Sequence, residues 1–200
     1  MPGPVKKPPL GLLTDTITYL EMMERPGRPP LPIPAGKLAL MRVERCPVPF
    51  YRYLYDTVGE PWVWFERRLW SDEKLAATLA QPETEVTALY VAGVPAGYFE
   101  IDRRPDGNVQ LAYFGLAPDF IERGLGAWFM RAAVDQAWLH PDAKRFWVHT
   151  CTYDHPRALG AYQKAGFQVY RQQPVEFTDP RLLGALRRDH PHPKLPPLPT

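Results

Sequence analysis

The chain reads Leu116-Ala117-Pro118-Asp119-Phe120-Ile121-Glu122-Arg123-Gly124-Leu125-Gly126-Ala127 where a predicted strand ends and a predicted helix begins. The first backbone N–H groups of a helix have no partner within the helix, and this end carries a partial positive charge. The two glycines leave room for a ligand to approach these groups closely. The stretch therefore predicts a binding site for a phosphate or pyrophosphate group.

The spacing around the two glycines excludes two common phosphate loops. A dinucleotide-binding fingerprint requires a third small residue three positions after Gly126, where Phe129 stands. A Walker loop requires Gly-Lys-Ser/Thr, whereas Ala127 and Trp128 follow Gly126. A Gly-x-Gly bend also occurs in ordinary strand-to-helix turns, so the rest of the chain has to support the interpretation.

The composition indicates one soluble globular domain. The chain has 200 residues, of which 45% are hydrophobic, and a formal net charge of +2. A charge this balanced predicts no nucleic-acid partner and does not favour a strongly acidic or polycationic one. No apolar run approaches the roughly 20 residues of a transmembrane helix, and no secretory signal is apparent, so we expect no membrane partner. The two distant cysteines, Cys46 and Cys151, favour a cytoplasmic location.

The prolines divide the chain into three regions. Many of the 25 prolines lie near the two ends. We therefore predict a proline-rich N-terminal extension over residues 1–35, a folded domain over 36–178 and a proline-rich C-terminal tail over 179–200. The His-Pro-His-Pro segment at 190–193 is predicted to be a disordered polar part of that tail.

The hydrophobic pattern predicts an α/β domain in which strands precede and alternate with helices. The predicted helices are one or two short ones within 50–70, then 71–80, 124–139 and 156–165. The predicted strands are 37–43, 86–92, 96–102, 109–116, 146–150 and 167–173. Ser71, the only serine, is placed to cap the second helical segment, which argues against a serine-nucleophile hydrolase.

Two segments resemble the signatures of one family. Leu116-x-Pro118 is followed five residues later by Arg123-Gly124-Leu125-Gly126, and 158–167 reads Ala-x-x-x-Tyr-x-x-x-Gly-Phe. Together, and in this order, they resemble the GNAT superfamily of acyl-CoA N-acyltransferases. The resemblance implies an α/β GNAT-like fold: a mixed, mostly antiparallel central sheet flanked by helices. It also implies a splay between the fourth and fifth strands, here 109–116 and 146–150.

The resemblance implies acetyl-CoA as the co-substrate. The backbone of six residues would then hold the pyrophosphate: Glu122, Arg123, Gly124, Leu125, Gly126 and Ala127. Leu116 would pair with the pantetheine arm like an added strand and polarise the thioester carbonyl with its N–H. His155 stands where the family often has Asn and is expected to donate a hydrogen bond to the cofactor arm. Ile121 replaces a common Gln or Arg, so that side-chain contact is lost.

Acyl transfer to an amine needs a base for the amine and an acid for the departing thiolate. The resemblance assigns the acid to Tyr162, whose phenol is a neutral donor at pH 7. It also implies a carboxylate base, for which Glu100 is the first candidate. Asp102 shares its strand face but lies closer to a turn. His149, Tyr113 and Asp154 are the alternatives to Glu100.

Two further features leave alternatives open. His149, Cys151 and His155 could suggest zinc, but a fourth ligand is not evident, so we expect no metal. The aromatic stretch 50–70 either lines an acceptor pocket or simply packs helices onto the sheet.

These observations predict an N-acetyltransferase that moves an acetyl group from acetyl-CoA directly to a primary amine. The acceptor would be a small molecule or a protein amine, and a homodimer is compatible with the sequence. The alternative is a non-catalytic acyl-CoA-binding module or sensor with the same fold. An unrelated α/β binding domain would have no affinity for acyl-CoA.

Overall fold

A single seven-stranded sheet organises the computed structural model, which describes residues 11–198. The strands are β1 (Leu12–Met22), β2 (Leu38–Arg42), β3 (Thr84–Val91), β4 (Val94–Arg103), β5 (Asn108–Leu116), β6 (Arg145–Thr150) and β7 (Gln168–Thr178). The helices are α1 (Val48–Gly59), α2 (Asp72–Leu79), α3 (Leu125–Ala137) and α4 (Ala158–Ala165). Short 3₁₀ turns cover Glu60–Trp62, Glu66–Leu69 and Pro118–Phe120.

The strands are ordered β2-β3-β4-β5-β6-β1-β7. Every neighbouring pair is antiparallel except β5 and β6, which are parallel. A parallel pair needs a long crossover, and the segment containing α3 provides it. The predicted mixed, mostly antiparallel sheet flanked by helices is confirmed.

The N-terminal boundary of the domain was wrongly predicted. Strand β1 lies inside the sheet, antiparallel to β6 on one side and to β7 on the other. Residues 12–22 are therefore part of the domain and not of an extension ending at 35. Residues 1–10 of that predicted extension lie outside the described residues.

Helices cover both faces of the sheet. On one face, α3 and α4 pack on a cluster that includes Phe99, Phe129 and Phe146. On the other, α1 and α2 pack on Tyr98 and its neighbours. Phe99 and Tyr98 are adjacent in β4, so the alternation of side chains along one strand supplies both cores.

The C-terminal segment from 179 to 198 packs on the domain, contrary to the prediction of a disordered tail. Leu186 is 4% exposed and joins a small core with Val63 and Tyr153. His190 Nε2 lies 2.7 Å from the carbonyl oxygen of Glu60, and His192 Nε2 lies 3.1 Å from that of Tyr153. The segment therefore contacts both the turn at Glu60 and the loop at Tyr153, which a disordered tail would not do. Residues 199–200 lie outside the described part.

The helix ends show the expected local chemistry. Ser71 Oγ accepts a hydrogen bond from the Lys74 N–H at 3.2 Å, which confirms the predicted cap of α2. Gly166 ends α4 with φ of 116°, a conformation that favours glycine.

Among residues 11–198, none of the helices has the length and apolar character needed to cross a membrane.

Candidate active site

A cavity of about 400 Å³ lies between β5 and β6. The parallel pairing of these strands covers only Asn108–Gln110 with Arg145–Trp147. Beyond it, Leu111–Leu116 of β5 and Val148 and His149 of β6 line the cavity. The two strands therefore share a cavity over the length where they are not hydrogen-bonded to each other.

A β-bulge shapes the β5 side of the cavity. Glu100 pairs with Tyr113 and Ile101 with Leu111, which leaves Ala112 as the extra residue. Further along β5, the Ala117 N–H donates to the Ala96 carbonyl at 2.9 Å. Because successive N–H groups of a strand point to opposite edges, that of Leu116 points towards the unpaired side facing β6. This geometry fits the predicted role of Leu116.

The glycine bend leads into α3 through two left-handed residues. Glu122 has φ of 66° and Gly124 has φ of 76°. Within residues 11–198, no protein acceptor takes a hydrogen bond from the N–H groups of 122–127. A Cβ added at Gly124 or Gly126 would meet no heavy atom within 4 Å. Donors with open space above them are what a diphosphate requires, so these residues fit the pyrophosphate of coenzyme A.

Three side chains flank the bend. Glu122 pairs with Arg157 at 3.0 Å, and Arg157 lines the cavity. The Arg123 guanidinium lies 5.1 Å from the centre of the Phe120 ring. The cavity wall includes Ile121, which precedes the bend, while residues 122–127 lie beside the cavity and not in its wall.

Tyr162 lies on α4 and lines the cavity. Its side chain contacts the rings of Phe114 and Phe167 and is only 7% exposed. Its hydroxyl makes no hydrogen bond within the described residues, although the side chain is almost completely buried. Burial, and next the charges of Asp154 and Cys151, raise the pKa of the phenol. Tyr162 is therefore a neutral, unpartnered donor beside the cavity.

Glu100 does not lie where a base is needed. It is 1% exposed and is not among the residues that line the cavity. One carboxylate oxygen accepts from the Tyr51 hydroxyl and the other from Arg67 at 2.6 Å. Burial raises the pKa of Glu100, and Arg67 opposes that shift. The face of β4 that carries Glu100 is covered by α1, so the predicted role as a base in contact with the amine is not supported by its position.

The three alternatives to Glu100 all line the cavity. His149 also borders a second cavity on the α2 side of the sheet, which Asp102 and Tyr113 border as well. The Tyr113 hydroxyl donates to Glu66 at 3.1 Å. His149 makes no side-chain hydrogen bond within residues 11–198, and its ring centre lies 6.0 Å from that of Tyr19.

Asp154 is held by three donors. It accepts from Trp64 Nε1 at 3.3 Å, from Thr150 Oγ1 at 2.5 Å and from the Cys151 N–H at 3.1 Å. Its carboxylate is therefore held in one position in the cavity wall. Sequence spacing indicated the residue but not the donors, which come from two separate segments, Trp64 and the adjacent pair Thr150 and Cys151.

The aromatic stretch contributes to both expected roles. Trp62, Trp64 and Phe65 line the cavity, whereas Tyr51 on α1 is fully buried between that helix and the sheet. Trp70 packs against the Arg67 guanidinium, whose carbon lies 4.0 Å from the ring centre.

His155 lines the cavity, and its ring centre lies 4.8 Å from that of Trp62. Its Nδ1 accepts the Arg157 N–H at 3.0 Å, which leaves Nε2 as the donor for a ligand. In the described part of the chain, no group of three or more His, Cys, Asp or Glu residues is arranged to hold a metal ion.

An opened parallel strand pair, a helix start with free N–H groups and a buried phenol define an α/β acyltransferase-like site. The model of the Acetyltransferase (GNAT) family matches residues 51–167, more than half of the chain. The chain therefore belongs to the GNAT acetyltransferase family. Among curated proteins, no sequence matches the chain.

Solved structures share the fold. A GCN5-related N-acetyltransferase from Kribbella flavida is 19% identical with a TM-score of 0.58, over 87% of this chain and 63% of that one. The ribosomal-protein-S18-alanine N-acetyltransferase from Escherichia coli is 14% identical with a TM-score of 0.54, over 71% and 94%. An aminoglycoside acetyltransferase from an uncultured soil metagenomic sample is 14% identical with a TM-score of 0.53, over 64% and 87%. This chain thus spans less than two thirds of some of the proteins it resembles.

Proposed function

We propose that this protein transfers an acetyl group from acetyl-CoA directly to a primary amine. The observation that carries the proposal is the cavity between β5 and β6, which has the free N–H groups of the glycine bend near one end and the Tyr162 hydroxyl in its wall. Membership in the GNAT family supports acetyl-CoA as the donor.

The chain's own residues would bind the donor through its backbone. The N–H groups of Glu122 to Ala127 hold the pyrophosphate, and Arg123 and Arg157 add positive charge nearby. Leu116 pairs with the amide-bearing arm and directs its N–H at the thioester carbonyl. His155 donates from Nε2 to the same arm. Acetyl-CoA supplies the activated acyl group.

Tyr162 acts as the general acid. The neutral amine nitrogen attacks the thioester carbonyl carbon, the carbon–sulfur bond breaks, and the departing sulfur takes the phenolic proton. The proton that the nitrogen loses on forming the amide returns through water to the phenolate. The raised pKa keeps Tyr162 protonated before the reaction and makes the phenolate readily reprotonated from water afterwards. The two cysteines need not act as nucleophiles, because the amine attacks directly.

His149 is the base that the geometry favours. It faces both cavities and has no competing partner in the described residues, whereas Glu100 is bound to Arg67 and Tyr51. Histidine is the side chain that most often acts as a general base in enzymes. We therefore assign amine deprotonation to His149 and a structural role to Glu100.

The test is Tyr162→Phe, with Tyr170→Phe as the matched control. Tyr170 is 43% exposed and does not line the cavity. Loss of the acid should lower kcat by about 10²–10⁴-fold while acetyl-CoA affinity by calorimetry stays unchanged. Thiol release from acetyl-CoA with a panel of amines gives the rates. Full activity of Tyr162→Phe would remove its role, and tight acetyl-CoA binding without turnover on any amine would indicate a sensor instead.

A further inference from the structure

Several acidic side chains line the cavity. Asp15 on β1, Glu66 on a 3₁₀ turn and Asp154 before α4 all line it. Glu176 also borders it, but it lies on β7 between two cavity-lining residues and its side chain alternates to the other face. Among the cavity-lining residues described, Arg157 is the single Lys or Arg, and it is paired with Glu122 at the glycine bend.

The three carboxylates are positioned by neutral donors and not by cations. Asp15 Oδ1 accepts from the Thr152 N–H at 2.8 Å and from the Thr152 hydroxyl at 2.6 Å. Glu66 accepts from the Tyr113 hydroxyl. Within residues 11–198 none of the three takes part in a salt bridge, unlike the buried Glu100. Asp15 and Asp154 are partly buried and Glu66 is exposed at the cavity mouth. A carboxylate without a countercharge, above all a partly buried one, is stabilised when a ligand supplies that charge.

Aromatic rings form much of the same cavity wall. Aromatic residues that line the cavity include Trp62, Trp64, Phe65, Tyr113, Tyr153 and Phe177. The faces of such rings attract ammonium groups, most strongly where water is excluded. The Tyr162 side chain is 7% exposed and lines the cavity, and its hydroxyl has no hydrogen-bond partner within the described residues; it marks the reacting end of the same cavity, independently of the acidic groups.

We propose that the acceptor is a small linear polyamine, with one primary amine that reacts and at least one further ammonium group held by Asp15 or Glu66. The proposal rests on the proposed acetyl transfer and specifies its acceptor. Asp154 and Tyr162 line the same cavity, and Asp154 would face the reacting amine. Asp15 and Glu66 come from two other segments and would face the rest of the polyamine. The net charge of +2 did not favour a polycationic partner. Net charge averages over the whole surface, whereas binding in a cavity depends on the charges in its own walls.

The first experiment compares acceptors in the thiol-release assay. Spermidine should exceed butylamine, which has the same primary amine and no second charge, by on the order of tenfold in kcat/KM. The advantage should shrink as salt is added, because exposed charges are screened. Equal or better use of butylamine, or of a lysine-containing basic peptide, would overturn the assignment to a small polyamine.

The second experiment alters the carboxylates. Glu66→Gln and Asp15→Asn should each raise the KM for spermidine by several-fold, and together by more, with little effect on the KM values of butylamine and acetyl-CoA. Glu24→Gln is the control, because Glu24 is exposed and does not line the cavity. An unchanged spermidine KM in the double variant would contradict the proposal.

A direct binding measurement tests the proposed polyamine site independently of acetyl transfer. Spermidine is titrated into the full chain by calorimetry, with and without coenzyme A. If no amine supports turnover but spermidine binds and the double variant loses that binding, the cation site stands and the transferase function fails. If spermidine does not bind under either condition, the polyamine proposal fails whatever the outcome with acetyl-CoA.

Discussion

Replacing Gly126 by leucine isolates ligand binding from folding. Gly126 is the second residue of α3, and a Cβ there meets no heavy atom within 4 Å. The substitution therefore creates no clash in the free protein. A leucine also loses less conformational entropy in a helix than glycine, so stability should rise by about 0.5–1 kcal/mol.

The same side chain fills the space in which the pyrophosphate would approach the N–H groups. Each hydrogen bond to a charged group contributes about 1.5–3 kcal/mol, so losing two costs about 3–6 kcal/mol. That corresponds to a loss of affinity of at least about 100-fold. Binding and stability should thus change in opposite directions.

The assay is calorimetric titration with acetyl-CoA beside a thermal melt of each variant. Gly160→Leu is the matched control, because Gly160 also lies in a helix, has open space at its Cβ and does not line the cavity. We expect Gly160→Leu to bind acetyl-CoA like the parent. A Gly126→Leu protein that binds with parental affinity would refute the assignment of the glycine bend.

Three further substitutions test the electrostatics and the packing. Glu100→Ala leaves Arg67 buried without its carboxylate and should lower the free energy of unfolding by about 3–5 kcal/mol in urea titrations; a change near zero would contradict the buried pair. Burial would raise the pKa of Glu85, but hydrogen bonds from Arg103 and Gln136 hold it below its ordinary value of 4.5, so its stabilising effect is present above that pH and lost as pH falls further. The stability difference between the parent and Glu85→Gln should therefore shrink on acidification, and a difference that grows below pH 4.5 would have the wrong sign. Leu186→Ala should cost about 2–5 kcal/mol and raise the acceptor KM, because Leu186 packs under cavity-lining residues; normal stability would show that the C-terminal segment does not pack there.

Local sequence signals were sufficient for much of the fold. The strands from β2 to β7, the cap at Ser71 and the helices α2 to α4 follow from hydrophobic period and from Gly, Pro and Ser positions. Strand β1 was missed, because prolines on both sides of it made the region resemble an extension. Its place between β6 and β7 is a long-range pairing that no local pattern encodes.

The candidate site likewise has residues that the sequence predicts and residues that only the tertiary structure brings together. The glycine bend and Tyr162 were indicated by sequence alone, because a helix start and a helix face are local structures in which spacing determines geometry. Whether a carboxylate faces a cavity or a buried arginine depends on which segments fold over it. Glu100 therefore became the partner of Arg67, while Asp15, Glu66 and Asp154 came together from three distant segments, since only the packed sheet brings those side chains to one cavity.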